Sequence, residues 1–253
     1  MSHTRRLRTL AASVASFAAV TFTASAAVAQ DQVRIDFAEF RSPVTTEYQA
    51  TPGGDVTSKG FDFYAAFGTG ARNALGTWGT DDRDALNDLS NNLPTNLGPT
   101  AAALHATQFG ERIDMQHSED KLFSLTSIDV AHMYSRSNLL SGDLSPITLF
   151  FYGFNEAGAN DRSISFNIPL PPVVGGDRRP QLFTLFFPSS WTMLSSVAWF
   201  QQSGPFNTGT TGSAFSHQFT NVVASVVPEP STYALMAVGL GGVLAVARRR
   251  RGA

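Results

Sequence analysis

The densest set of potential metal ligands in this chain is Asp81, Asp82 and Asp84, followed by Asp88, in a stretch that also carries Trp78. Carboxylate oxygens in a flexible loop suit calcium, which takes several carboxylates and carbonyls at once. An indole beside them could stack on a sugar ring. The spacing does not match an EF-hand loop, and Asp at a helix start also caps the helix and complements its dipole. Capping in a solvated loop is the favoured reading, with calcium as the alternative. His105, His117, His132 and His217 are scattered, without a His-x-x-x-His or His-Glu-x-x-His pair, so a zinc site would have to be assembled by the fold. Solvent-facing or hydrogen-bonded histidines are the simpler reading. There is no Gly-x-Ser-x-Gly elbow, and Ser127, Ser195 and Ser196 fall in strand-like stretches where a nucleophile would lack a strained turn. Two carboxylates a few ångströms apart would suffice for glycoside hydrolysis, but nothing in the sequence selects such a pair.

The elements that would position these groups read as strands. Residues 33–37, 61–63, 163–168 and 215–219 alternate apolar and polar side chains, while 122–134, 147–154, 181–187 and 193–200 are longer apolar runs of more deeply buried strands. Turn chemistry separates them: Ser141-Gly142-Asp143, Glu156-Ala157-Gly158, Pro171-Pro172, Gly175-Gly176-Asp177 and Pro188-Ser189. The expected fold is all-β, an antiparallel β-sandwich of jelly-roll type. Trp191 and Trp199 belong to its core. Residues 82–89 form the one short helical pattern, and residues 68–100, rich in Gly, Pro, Asn and Asp, read as an irregular excursion from the sandwich.

The two ends differ from this body. Arg5, Arg6 and Arg8 precede an apolar stretch, and Ala27-Val28-Ala29 has the small-x-small pattern of a signal-peptidase site, which would leave Gln30 first. General secretion is favoured over twin-arginine export because the residues around Arg5-Arg6 fit the latter poorly. At the other end Pro228-Glu229-Pro230 is followed by residues 231–247, which carry no charge, and by Arg248, Arg249, Arg250 and Arg251. The prolines demand an extended, exposed segment. The apolar stretch, as a helix, would span roughly 25 Å, slightly short of a bilayer, with the arginines holding its end in the cytoplasm. Three parts follow: a signal peptide (1–29), a sandwich ectodomain (30–227) and a C-terminal segment (228–253) with a transmembrane helix.

Between residues 30 and 227 acidic side chains outnumber basic ones by eight. A body so charged offers no electrostatic footprint for nucleic acid and is repelled by anionic lipid. The chain has no cysteine, which removes disulfides, thiol catalysis, iron–sulfur clusters and cysteine-bound zinc.

The proline-glutamate-proline step, apolar helix and arginine cluster resemble the PEP-CTERM sorting signal of exported proteins in Gram-negative bacteria that make extracellular polysaccharide. Within the body, residues 123–131, the Tyr152-Gly153 pair, residues 194–199 and the strand at 219–223 are similar to one group of ectodomains bearing that signal. The last strand of that group usually has an aspartate-asparagine step, where this chain has Thr220-Asn221. The resemblance implies processing by an exosortase-like membrane protease after signal peptidase, then display at the cell surface or in the extracellular matrix. No cofactor is implied. The expectation is a non-enzymatic binding or structural module associated with exopolysaccharide; the alternative is a secreted glycan-active enzyme.

Overall fold

The computed structural model describes residues 31–40, 49–50, 55–67, 71–73, 75–77, 94–98, 101–106, 112–132, 146–171, 173–174, 177–178, 180–203, 217–228 and 239. Among them the chain forms β1 (Gln32–Ile35), β2 (Gln49–Ala50), β3 (Asp55–Ser58), β4 (Phe61–Phe67), β5 (Ala71–Asn73), β6 (Leu75–Thr77), β7 (Leu104–Ala106) and β8 (Arg112–His117). It continues through β9 (Phe123–His132), β10 (Ile147–Phe154), β11 (Asn160–Ile168), β12 (Val173–Val174), β13 (Asp177–Arg178), β14 (Phe183–Phe186), β15 (Ser196–Ser203) and β16 (His217–Val226).

Two antiparallel sheets result. One runs β14-β9-β16, then β1 and β7 share the next position, with β6 and β2 beyond β7; the other runs β11-β10-β15-β8-β4, with β3 and β5 sharing the edge. With β2 to β7 set aside, β1-β16-β9-β14 lie in one sheet and β8-β15-β10-β11 in the other. That is the order of a jelly roll, in which the chain crosses between sheets at most connections. The strands β2 to β7 are an insertion that widens both sheets. Part of the stretch read from sequence as an irregular excursion is therefore sheet: β5 pairs with β4, and β6 pairs with β7 and β2. Its Gly and Asn residues hid strands only three residues long.

The core forms where alternating side chains of the two sheets meet. In β10, Ile147, Leu149 and Phe151 are buried while the intervening residues are half-exposed. Trp199 of β15 stacks on Phe151 (centroids 5.6 Å apart) and meets Phe219 of β16 edge-on at 4.9 Å, joining the sheets at mid-sandwich. Phe37 meets Phe63 and Phe219 edge-on, and its backbone takes φ 53° to turn that ring inward after β1. Left-handed backbone is costly for a bulky residue, and complete burial of the ring offsets it. Gly153 has a packing reason: a Cβ there would come within 2.8 Å of a Leu194 methyl and 3.5 Å of the Trp191 ring.

His117, at the end of β8, is 7% exposed and meets Phe61 edge-on. Its Nδ1 accepts the Glu119 N–H at 3.1 Å, which requires an unprotonated Nδ1. Burial and the nearby Lys121 push its pKa below the usual 6.5, against the opposing carboxylates Glu119, Asp62 and Asp120. As pH falls below that value the unfolded chain takes up the proton first, so His117 contributes stability above it that is lost on acidification. The melting temperature should fall between pH 7 and pH 5, and the fall should be smaller in His117→Gln, whose amide oxygen can still accept the Glu119 N–H. Thermal melts across that range check this.

Candidate functional site

Strand β16 lies inside its sheet, and the chain leaves it directly into the proline-glutamate-proline step. Val227 donates its N–H to Leu122 O (2.8 Å), one residue before Pro228. The start of the body leaves from the same place, because Gln32 of β1 pairs with Ser225 of β16. Both ends of the body thus depart from one end of one sheet, on neighbouring strands.

On the outward face of that sheet, one polar side chain from each of four adjacent strands joins a transverse ladder. Arg34 Nε of β1 donates to Asn221 Oδ1 of β16 (3.1 Å), Asn221 Nδ2 donates to Asp129 Oδ2 of β9 (2.7 Å), and Thr184 Oγ1 of β14 donates to Asp129 Oδ1 (2.6 Å). The register supports it: Thr184 lies opposite Asp129, and Asp129 opposite Thr220. Between Thr220 and Val223 the pairing with β9 slips, and Asn221 sits there at φ 47°. This bulge lets Asn221 point outward between inward-facing Phe219 and Val222, and Asn is among the few residues that tolerate the left-handed conformation.

Residues 94–98 and 101–102 form a short strap tied to both sides of the same face. Thr95 N–H donates to Pro180 O, Asn96 exchanges two hydrogen bonds with the Leu182 backbone (2.7 and 3.1 Å), and Ala102 N–H donates to Asp36 O (2.9 Å). The strap is thereby tied just before β14 and just after β1. Those strands are about 14 Å apart across the sheet, and the six-residue span from Asn96 to Ala102 reaches about 20 Å at most. Strap and ladder enclose a cleft of about 430 Å³ lined by Arg34, Asp36, Asn96, Asp129, Thr184 and Asn221 among others.

The carboxylates that line the cleft, Asp36 and Asp129, are each engaged by a neighbour. The two-residue turn Lys59-Gly60 joins β3 to β4 with both residues at positive φ, the geometry that suits a tight hairpin. It places Lys59 Nζ 3.2 Å from Asp36 and 2.9 Å from Arg34 O, tying the second sheet to the cleft rim. Burial raises the Asp36 pKa, but the Lys59 hydrogen bond and charge, with the Ala38 N–H, outweigh it and hold the carboxyl below its usual 3.8. Asp36 is thus paired with Lys59 at the rim, and Asp129 is joined to Arg34 through Asn221.

Of the residues singled out from sequence, Trp78, Asp81, Asp82 and Asp84 lie outside the described residues, as do Ala27, Ala29 and Gln30, the 82–89 helix, Glu229, Pro230 and Arg248 to Arg251. Pro228 is half-buried at the end of the fold. His132 and His217 are in strands and directly opposite each other in register, both fully buried. Ser127 and Ser196 are strand residues, whereas Ser195 precedes β15 and donates to Phe154 O and Asn155 O. Trp191 and Trp199 are core. Among the described residues no three of His, Asp and Glu are grouped to hold a metal, and no helix is long and apolar enough to cross a membrane. Sequence reasoning missed the ladder. Its one signal was Thr220-Asn221, a polar pair between Phe219 and Val222.

The PEP-CTERM protein-sorting motif matches residues 226–251. No curated protein matches the chain. Two solved structures are similar to the body at 12% identity: a DUF4465 family protein from Bacteroides caccae, covering 78% of this chain and 100% of that one with a TM-score of 0.47, and the enzymatically active domain of bacteriophage CBA120 tailspike protein 4, covering 67% of this chain and 20% of that one with a TM-score of 0.30. At these scores neither bears on function.

Proposed function

From a chain that carries a PEP-CTERM sorting motif, and is thus exported and presented to an exosortase at the membrane, we propose a surface or extracellular-matrix protein whose jelly-roll body is a non-enzymatic binding module associated with exopolysaccharide. The observation that carries this is the sorting motif beginning where β16 ends, so that the folded body is all that remains after the tail is cut away. In this reading signal peptidase cuts after Ala29, the arginine-flanked ends stay cytoplasmic until processing, and the two tethers leave the body side by side. The charge balance of the body supports a neutral partner or an anionic one bridged by a divalent cation. Fractionation of the producing organism tests the association: the mature protein should sediment with the polysaccharide matrix and move to the soluble medium in a strain unable to make polysaccharide. Equal distribution in both strains would remove polysaccharide from the account.

A further inference from the structure

Resting on that binding role, we infer that the cleft between the Arg34–Asn221–Asp129–Thr184 ladder and the strap of residues 94–98 and 101–102 is the saccharide site of the body, and that it takes a short neutral, polyhydroxylated segment. Its size falls in the range of small-molecule sites, about 300–1,000 Å³, but its walls are polar where such sites are mostly apolar. An apolar ligand would cover the remaining donors and acceptors of those groups without pairing them. Charge disfavours the other extreme: the acidic excess of the body repels an anion, and the lining carboxylates are already engaged, Asp36 by Lys59 at the rim and Asp129 by Asn221 and Thr184, so no bare carboxylate is offered to a cation. What remains is a neutral ligand with many groups that both donate and accept, and sugar hydroxyls do both.

The ladder is built to meet them. Guanidinium has five N–H donors, of which the ladder uses one, and each carboxylate oxygen of Asp129 accepts one hydrogen bond with lone-pair capacity left. Donor and acceptor thus alternate across the floor on a scale of neighbouring strands, about 5 Å. The groups are also fixed in place: each is held by its neighbour, Asn221 by the bulge, and Asn96 by both its amide atoms. A site whose side chains are already ordered loses little entropy when a ligand arrives.

Titration calorimetry of the mature body tests this, with neutral gluco- and galacto-oligosaccharides, glucuronate-containing oligosaccharides and glycine as probes. Saturable binding of a neutral oligosaccharide is expected, weakened about tenfold or more by Arg34→Gln and by Asp129→Asn. Asn221→Gly, which keeps the left-handed backbone while removing the amide, should weaken it as well, and Thr184→Val at the exposed end of the ladder offers a fourth variant with little risk to folding. Preference for glucuronate or glycine, or no binding of any neutral probe, overturns the inference. Polysaccharide retention that is equal in the wild type and in all four variants also overturns it while leaving the matrix role standing; loss of retention by the wild type removes the matrix role itself.

Discussion

Trp199→Ala should cost about 3–5 kcal/mol of folding stability, the range for removing a large aromatic from a core, against a total of about 5–15 kcal/mol for a typical domain. The ring is 1% exposed, stacks on Phe151 in its own sheet and touches Phe219 across the sandwich, so its loss opens a cavity where aromatic rings of the two sheets meet. For a domain of this size the melting temperature should fall by about 10 °C or more. Trp199→Phe separates packing from polarity. The indole N–H is buried without a hydrogen-bond partner among the described residues, so phenylalanine removes an unsatisfied donor while keeping the stack, and should recover most of the loss. Chemical denaturation of the three proteins decides it; equal destabilisation by both variants would mean that indole volume alone matters.

The largest effect on the life of the protein is expected at Glu229 and Pro230. If the extended step is what the exosortase reads, replacing either by alanine leaves the tail attached and the body held at the membrane, with folding unchanged because β16 is complete at Val226 and, among the described residues, the last backbone hydrogen bond is made by Val227. Immunoblotting of membrane and medium fractions from the native host reads this as a shift from released to retained protein. Release at the wild-type level in both variants would show that the step is not the recognition element.

The sandwich was legible because burial imposes a period of two on its main strands. Ile147, Leu149 and Phe151 announce β10, and Phe183 with Leu185 announce β14. The strand β8 was hard to see because its polar residues are not all on a wet face: Asp114 is 4% exposed and is held by Arg112 at 2.9 Å, so a charged strand is buried by pairing. The β5 and β6 strands were hidden by length. The cleft could not be read at all, since Arg34, Asp129, Thr184 and Asn221 are separated by long stretches of sequence and meet only through the strand order β1-β16-β9-β14. Even with that order known, the slip at Asn221 decides which face its amide takes. The sorting signal is the opposite case, because its proline step, apolar stretch and arginines are contiguous in the sequence.

The measurement that bears most directly on this account is the intact mass of the mature protein from its native host. Processing at both ends predicts a chain that begins at Gln30 and has lost the apolar segment and the arginines, ending close to the Pro228-Glu229-Pro230 step. A mature chain that still ends at Ala253 would contradict the account and leave an exported body on a permanent C-terminal anchor.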